Sequence, residues 1–449
     1  MTTPRSFAMR IRFALALALS GALAGCDSLL DQSPTDQLPD DRAITDARGA
    51  RTALIGAYNA LQATSYYGRD ILLFGDLPSD NAEHTGTLTS FALADANQFR
   101  ADNTSADDIW NAIYDGINRV NIILEKAPAL TDLEETEKNE ILGEAHFLRA
   151  LHYHNLVKFY GDVPIKLAPV KTVEEAADIV RSPVADVYAQ INADLDEAET
   201  LITSTEPTTQ ATIGAVHALR ARVALYQGDY ATAGAEADEV IAEGYDLGPY
   251  ADLFDAEGID TPEDIFKVTF TAVQFSLEGF YYTSEDFDGR GEVAPTQDLF
   301  DAYEPGDERL TWSITLTDDG ALSGSKWATT VGAEDMHVIR FGEVLLIKAE
   351  AQARENDLSG AVDTYNRLRD RAGLDPHTLG NEVTTQAEVL AAIDHERRVE
   401  LAMEGDRWPD LVRTGTAVSV LGIPEFQTLF PIPQIERDVA PGLTQNPGY

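Results

Sequence analysis

From residue 46 onward, apolar side chains recur every three or four positions, the spacing of helices that bury one face. Asp46 to Thr64 sets Ala53, Leu54, Ala57, Tyr58 and Leu61 on one face, and Asp107 to Lys126 does the same with Ile109, Trp110, Ile113, Ile117, Val120 and Leu124. Lys138 to Tyr160 repeats the pattern with Ile141, Ala145, Leu148, Leu151 and Leu156, and Gly161 and Pro164 end it. Ser182-Pro183 opens a fourth helix, because proline suits a first helical turn, and Val184, Val187, Tyr188, Ile191 and Leu195 follow.

Two later stretches resemble each other. Residues 211–242 read as helix, Gln227-Gly228-Asp229-Tyr230, helix, and residues 340–371 read as helix, Glu355-Asn356-Asp357-Leu358, helix. Ala233 of the first corresponds to Ala361 of the second, and small residues in each let two helices approach closely. Turn and spacing resemble the tetratricopeptide unit. With the helix pair in 107–160 they predict a helical-repeat scaffold. Residues 65–106 and 245–339 break this rhythm. They are rich in Gly, Asp, Thr and aromatics, with one strand-like run from Glu263 to Phe270. Long irregular segments in a compact domain usually carry function.

The start of the chain reads differently. Arg5, Arg10 and Arg12 precede an Ala/Leu stretch, Phe13 to Ala22, too short to span a bilayer. Leu23-Ala24-Gly25-Cys26 follows, and it resembles a bacterial lipobox, which implies cleavage before Cys26 and lipidation of its thiol. Cys26 is the only cysteine, so no disulfide can form within the chain. The organisation expected is a lipoprotein signal peptide over 1–25, a lipid-anchored tether over 26–46 that is rich in proline and acid, and one large domain over 47–449. Asp27, read in some bacteria as an inner-membrane address, bears on the final leaflet.

The net charge of -43, from 33 Lys+Arg against 76 Asp+Glu, repels nucleic acid and anionic lipid. Lysine is scarce, with 8 against 25 arginines. Such a surface suits high salt, where the Debye length shrinks to about 3 Å near 1 M; a halophilic source is expected.

Motifs distributed along the chain then carry a family resemblance. They include Arg51-Thr52-Ala53-Leu54-Ile55-Gly56-Ala57-Tyr58-Asn59-Ala60-Leu61, Glu144-Ala145-His146-Phe147-Leu148-Arg149-Ala150-Leu151 and Tyr160-Gly161-Asp162-Val163-Pro164. Later come Arg340-Phe341-Gly342-Glu343 running into Lys348-Ala349-Glu350-Ala351, Tyr365-Asn366-Arg367-Leu368-Arg369, Glu396-Arg397-Arg398-Val399-Glu400-Leu401, Arg407-Trp408-Pro409-Asp410-Leu411, Pro431-Ile432-Pro433-Gln434 and Gln445-Asn446-Pro447-Gly448-Tyr449. In this order and spacing the chain resembles the SusD/RagB family of surface nutrient-binding lipoproteins. The resemblance implies a mainly α, tetratricopeptide-like scaffold with an irregular, loop-rich ligand-binding part. It also implies a SusC-like TonB-dependent outer-membrane barrel as partner, an oligosaccharide or sometimes a peptide as ligand, an outer-membrane location facing the exterior, and no catalytic residues.

Sugar binding needs flat apolar faces for ring C–H surfaces and polar groups for hydroxyls. The later irregular region offers Tyr281, Tyr282, Phe287, Arg290, Trp312 and Trp327, and the earlier one Tyr66, Tyr67, Phe91, Asn97 and Arg100. The same aromatics also suit pinning loops to the scaffold. Glu396, Arg397, Arg398 and Glu400 read as an ion-paired scaffold face, with Trp408 as a core anchor. His146, His152 and His154 are spaced by six and two, so they do not share a helical face as a zinc pair would. No cofactor or metal is expected. A surface glycoside hydrolase with paired carboxylates, and an adaptor that binds only protein, are the competing classes.

Overall fold

The computed structural model describes residues 44–170, 175, 179–254, 260–327 and 332–449. The segments expected to be a signal peptide and a tether, with Cys26, lie outside the described residues up to residue 43.

Helices dominate. They run α1 (Ala47–Leu61), α2 (Asp70–Asp76), α3 (Thr89–Asp95), α4 (Thr104–Lys126), α5 (Glu135–Tyr160), α6 (Val184–Leu201), α7 (Ile213–Gln227), α8 (Tyr230–Ala242), α9 (Glu278–Tyr282), α10 (Gln297–Ala302), α11 (Glu308–Ser313), α12 (Phe341–Arg354), α13 (Leu358–Arg371), α14 (Gln386–Glu400), α15 (Arg407–Arg413), α16 (Ala417–Leu421) and α17 (Gln434–Val439). The strands are short: β1 (Ala82–His84), β2 (Asp264–Val268), β3 (Val293–Pro295), β4 (Ile314–Leu316), β5 (Leu322–Gly324) and β6 (Met336–Arg340). They form three antiparallel pairs, β1 with β3, β2 with β6, and β4 with β5.

The long helices stack as successive neighbours. α1 packs on α4, α4 on α5, α5 on α6, α6 on α7, α7 on α8, α8 on α12, and α12 on α13 and α14. Each needs its neighbour, because an isolated amphipathic helix has nowhere to bury its apolar face. α4 shows the logic: Asn103 caps it by accepting from Ser105 N and Ala106 N, and Ile109, Trp110, Ile113, Ile117 and Val120 are all buried. Each such buried aliphatic side chain contributes about 1.5–3 kcal/mol of burial free energy.

The two hairpins anticipated from their turns share backbone geometry. Gly228 ends α7 with φ 73°, and Asp229 then caps α8 at Thr232 N. Asn356 has φ 68°, and Asp357 caps α13 at Gly360 N. A left-handed residue closes the first helix and an aspartate opens the second in both. Ala233 and Ala361 are both fully buried where the paired helices meet.

The charged run in α14 is ion-paired, and most of it is buried. Glu396, Arg397 and Glu400 are buried, and their partners come from elsewhere in the chain. Arg309 reaches Glu396 at 2.9 Å and Glu400 at 3.3 Å, and Arg340 reaches Glu400 at 2.6 Å and Glu404 at 2.8 Å. Arg371 bonds Glu263 and Glu400, and Arg397 pairs with Asp406 and Asp410. Burial alone would raise Glu400; Arg371, Arg340 and Arg309 outweigh it and hold the carboxyl well below the usual range. This network fastens the irregular residues 260–340 to the helical stack.

Candidate functional site

The irregular part builds a cleft. Its first wall is the β4–β5 hairpin, tightened by Thr317, whose hydroxyl donates to Asp319 at 2.6 Å and accepts from Ala321 N at 2.8 Å. Its second wall is the loop after α9. There Ser284 N donates to Ser323 Oγ at 2.9 Å, and Gly289 passes so near the chain that an added Cβ would lie 1.9 Å from Thr283 O. Only glycine fits that crossing. Two adjoining hollows result. One, of about 500 Å³, is bordered by Thr85, Thr87, Tyr282, Arg290 and Thr317; the other, of about 380 Å³, by Phe287, Asp288, Thr311, Thr315, Ser325 and Trp327.

Glu292 fixes the rim. Its carboxylate accepts from Thr87 N at 2.7 Å, Leu88 N at 2.5 Å and His84 Nε2 at 3.1 Å, and from Arg290 Nε at 2.7 Å. Burial works to raise it, but Arg290 and the two backbone N–H groups prevail and lower it. Glu292 is therefore an ionised strut between residues 84–88 and the loop carrying Arg290.

The residues singled out from sequence divide into three groups. Phe287 and Trp312 are large and exposed, at 42% and 46%. Phe287 lines the second hollow, and Trp312 follows Thr311 of its wall. Arg290, partly exposed, borders the first hollow. Behind them stand Trp327, whose indole N–H donates to Met403 O at 3.2 Å while it borders the second hollow, and Tyr282. Tyr281 is buried beneath Arg69 and Arg290, whose guanidiniums lie 4.5 Å and 5.3 Å from its ring centre.

The earlier irregular region is placed differently. Tyr66 contacts His152 Nδ1 at 3.0 Å, Tyr67 accepts from Asn155 at 2.9 Å, and Phe91 packs edge-on against Phe74, all inside the core. Asn97 is buried with φ 51° and donates to Pro78 O at 2.9 Å, which is a turn-holding role. Arg100 is exposed and paired with Asp102 at 2.9 Å. These five residues support loops and supply no face to the cleft. Residues 65–106 instead contribute Thr85, Gly86 and Thr87, side chains too plain to stand out in a sequence.

The three histidines do not assemble: His146 bonds Asp194 at 2.7 Å, His152 meets Tyr66, and His154 lies edge-on to Tyr226. Glu304, His395 and Glu396 bring ligand atoms within 4.8 Å of one another. Arg369 and Arg309 already neutralise those two glutamates, so the group is an ion-pair node.

A stack of helical hairpins bearing a loop-built, aromatic-edged cleft defines a helical-repeat surface-binding architecture. A family model described as starch-binding associating with outer membrane matches residues 30–225, and a second, described as SusD family, matches residues 315–424. The chain belongs to the SusD/RagB family. It is 28% identical to SusD-like protein P2 of Formosa agariphila, covering 95% of this chain and 97% of that one. A SusD superfamily protein from Bacteroides vulgatus superposes with a TM-score of 0.83 at 21% identity, covering 90% of this chain and 99% of the other. A laminarin-binding SusD-like protein superposes with a TM-score of 0.81 at 24% identity, covering 90% and 100%. The mainly α, tetratricopeptide-like fold is thus shared with these proteins.

Proposed function

We propose that this protein is a lipid-anchored surface receptor that captures oligosaccharides in the cleft between the β4–β5 hairpin and the loop 283–292, and delivers them to a SusC-like TonB-dependent barrel in the outer membrane. The observation that carries the reading is the exposed ring of Phe287, with the Trp327 indole, at a hollow otherwise edged by hydroxyls and a carboxylate, and the exposed Trp312 next in the chain to Thr311 of its wall. Exposed flat rings suit the C–H faces of sugars, and Thr311, Thr315, Ser325 and Asp288 suit their hydroxyls. The family description and the laminarin-binding relative support the same class of ligand.

Capture without cleavage fits the electrostatics at the rim. A glycosidase acid needs a carboxyl raised toward neutrality. Glu292, buried against the cleft, is instead lowered and saturated with donors. The Leu23-Ala24-Gly25-Cys26 sequence supports anchoring at Cys26 with the domain facing the exterior. The acidic, lysine-poor composition supports function in concentrated salt. Titration with a panel of β- and α-glucan oligosaccharides, alongside peptides, tests the reading. Saturable binding to a glycan, lost on Trp312→Ala, is expected. A chain that binds only peptides, or that releases new reducing ends, would overturn it.

A further inference from the structure

Where α2 meets α9, five buried polar atoms have no hydrogen-bond partner: Asp76 Oδ1, both carboxylate oxygens of Glu278, Tyr282 Oη and Ser276 Oγ. All four residues are at most 1% exposed. Glu278 and Tyr282 are four apart on α9 and so share a face. Asp76 acts on both electrostatically, and Tyr282 reaches toward the Asp76 carboxylate without closing a bond to it. Asp76 Oδ2 is held by Gly405 N at 2.9 Å, which leaves Oδ1 turned to the orphaned group. Leu277 N donates to Gly68 O at 2.7 Å and anchors the start of α9 beside α2.

The charges here do not balance. Asp70 and Glu278 face Arg69, whose Nε is held by Asp70 at 2.5 Å and whose plane lies on Tyr281, and the cation acting on Asp76 is Lys326. The other charged neighbours are engaged. Lys326 donates to Glu404, Glu400 O and Ala402 O, and Asp406 pairs with Arg397. Arg407, which faces Asp76 through its backbone, turns its side chain to Asp80 and Asp394. Burial pushes Asp76 up to about 7 and Glu278 well above its ordinary value. Two uncompensated negative charges in a dry interior cost several kcal/mol each unless something neutralises them.

We propose that Asp76 and Glu278, with the hydroxyl oxygens of Tyr282 and Ser276, form a buried site for a hard divalent cation, of which calcium is the fitting member. The donor set is all oxygen, its charge matches, and Glu278 offers both oxygens to one ion, as calcium accepts and magnesium, with its strict octahedron, does not. Shared protons explain the group less well. A proton relay draws oxygens into hydrogen-bond contact, yet the Ser276 hydroxyl, with a proton to give, finds no acceptor, and the Tyr282 hydroxyl only leans toward Asp76. The ion would clamp α9 to α2. Because α9 leads directly into the cleft loop 283–292, the clamp sets the stiffness of the ligand site.

The test is elemental analysis of the full domain purified through chelating resin, together with thermal unfolding after EGTA treatment with calcium or magnesium added back. About one calcium per chain is expected in the wild type and in a surface control, Glu134→Gln/Glu135→Gln, and none in Glu278→Gln. Calcium is expected to raise the Tm of the stripped wild type by several degrees and to leave Glu278→Gln unmoved. If Glu278→Gln does not fold, anomalous scattering from calcium between Asp76 and Glu278 in wild-type crystals decides alone. A wild type that carries no ion, shows no calcium response and has a protonated-carboxyl infrared band overturns the proposal.

Discussion

Arg340 Nη1 lies 2.6 Å from Glu400 Oε1, and both side chains are buried. Arg340 ends β6 and Glu400 ends α14, so this pair joins the irregular part to the helical stack. Removing one partner leaves an uncompensated charge, so Arg340→Met is expected to destabilise by about 3–5 kcal/mol. The double variant Arg340→Met/Glu400→Gln should recover part of that loss. Urea unfolding of both variants measures it.

The neighbouring Glu404 gives the network a pH signature. Burial would raise it, but Arg340 and Lys326 win and lower it to about 2, against 4.5 for the unstructured group. A lowered carboxyl stabilises fully above the unfolded value and loses that contribution as pH falls through the folded one. The stability advantage of wild type over Glu404→Gln should therefore be full at pH 7, shrink below pH 4.5 and vanish near pH 2. Paired unfolding curves across that range check it.

The two hairpin turns should respond alike. Gly228 and Asn356 both hold positive φ, which costs an ordinary L-residue about 1–2 kcal/mol. Gly228→Ala and Asn356→Ala are each expected to lower stability by about 1 kcal/mol, and Asn356→Gly to be neutral or mildly stabilising. Thermal unfolding distinguishes these outcomes.

Cleft residues should separate binding from stability. Phe287→Ala is expected to weaken glycan affinity about tenfold, or 1.4 kcal/mol, with the Tm unchanged because the ring is exposed. Trp327→Ala should lower both, since its indole is packed at 3% exposure and bonded to Met403 O. Gly289→Ala should impair binding without touching a ligand, because its Cβ displaces the Thr283 carbonyl and the loop with it.

Sequence periodicity made the helical hairpins legible because each is a local event: an apolar stripe, a left-handed turn residue, an aspartate cap. The turns at Gly228-Asp229 and Asn356-Asp357 carried that information in two residues each. The ionic network was hidden, because Arg309, Arg340 and Arg371 meet Glu400 from three separate segments and no local pattern links them. Tyr66, Tyr67 and Phe91 looked like loop aromatics. The short helices α2 and α3, too brief to show a period, turn that loop into core. The cleft was legible in Tyr282, Phe287, Arg290 and Trp327, which border its hollows. Thr85 and Thr87 border it by virtue of β-pairing between residues 82–84 and 293–295, which joins segments some two hundred residues apart, and Thr317 borders it from the turn of the β4–β5 hairpin.

Calorimetric titration of the lipid-free domain with glucan oligosaccharides, wild type beside Trp312→Ala, tests the central claim most directly. The account predicts saturable binding by the wild type, sharply weakened in Trp312→Ala at unchanged Tm, with the sugar recovered intact. Equal affinity in the two proteins, or cleaved sugar, would contradict it.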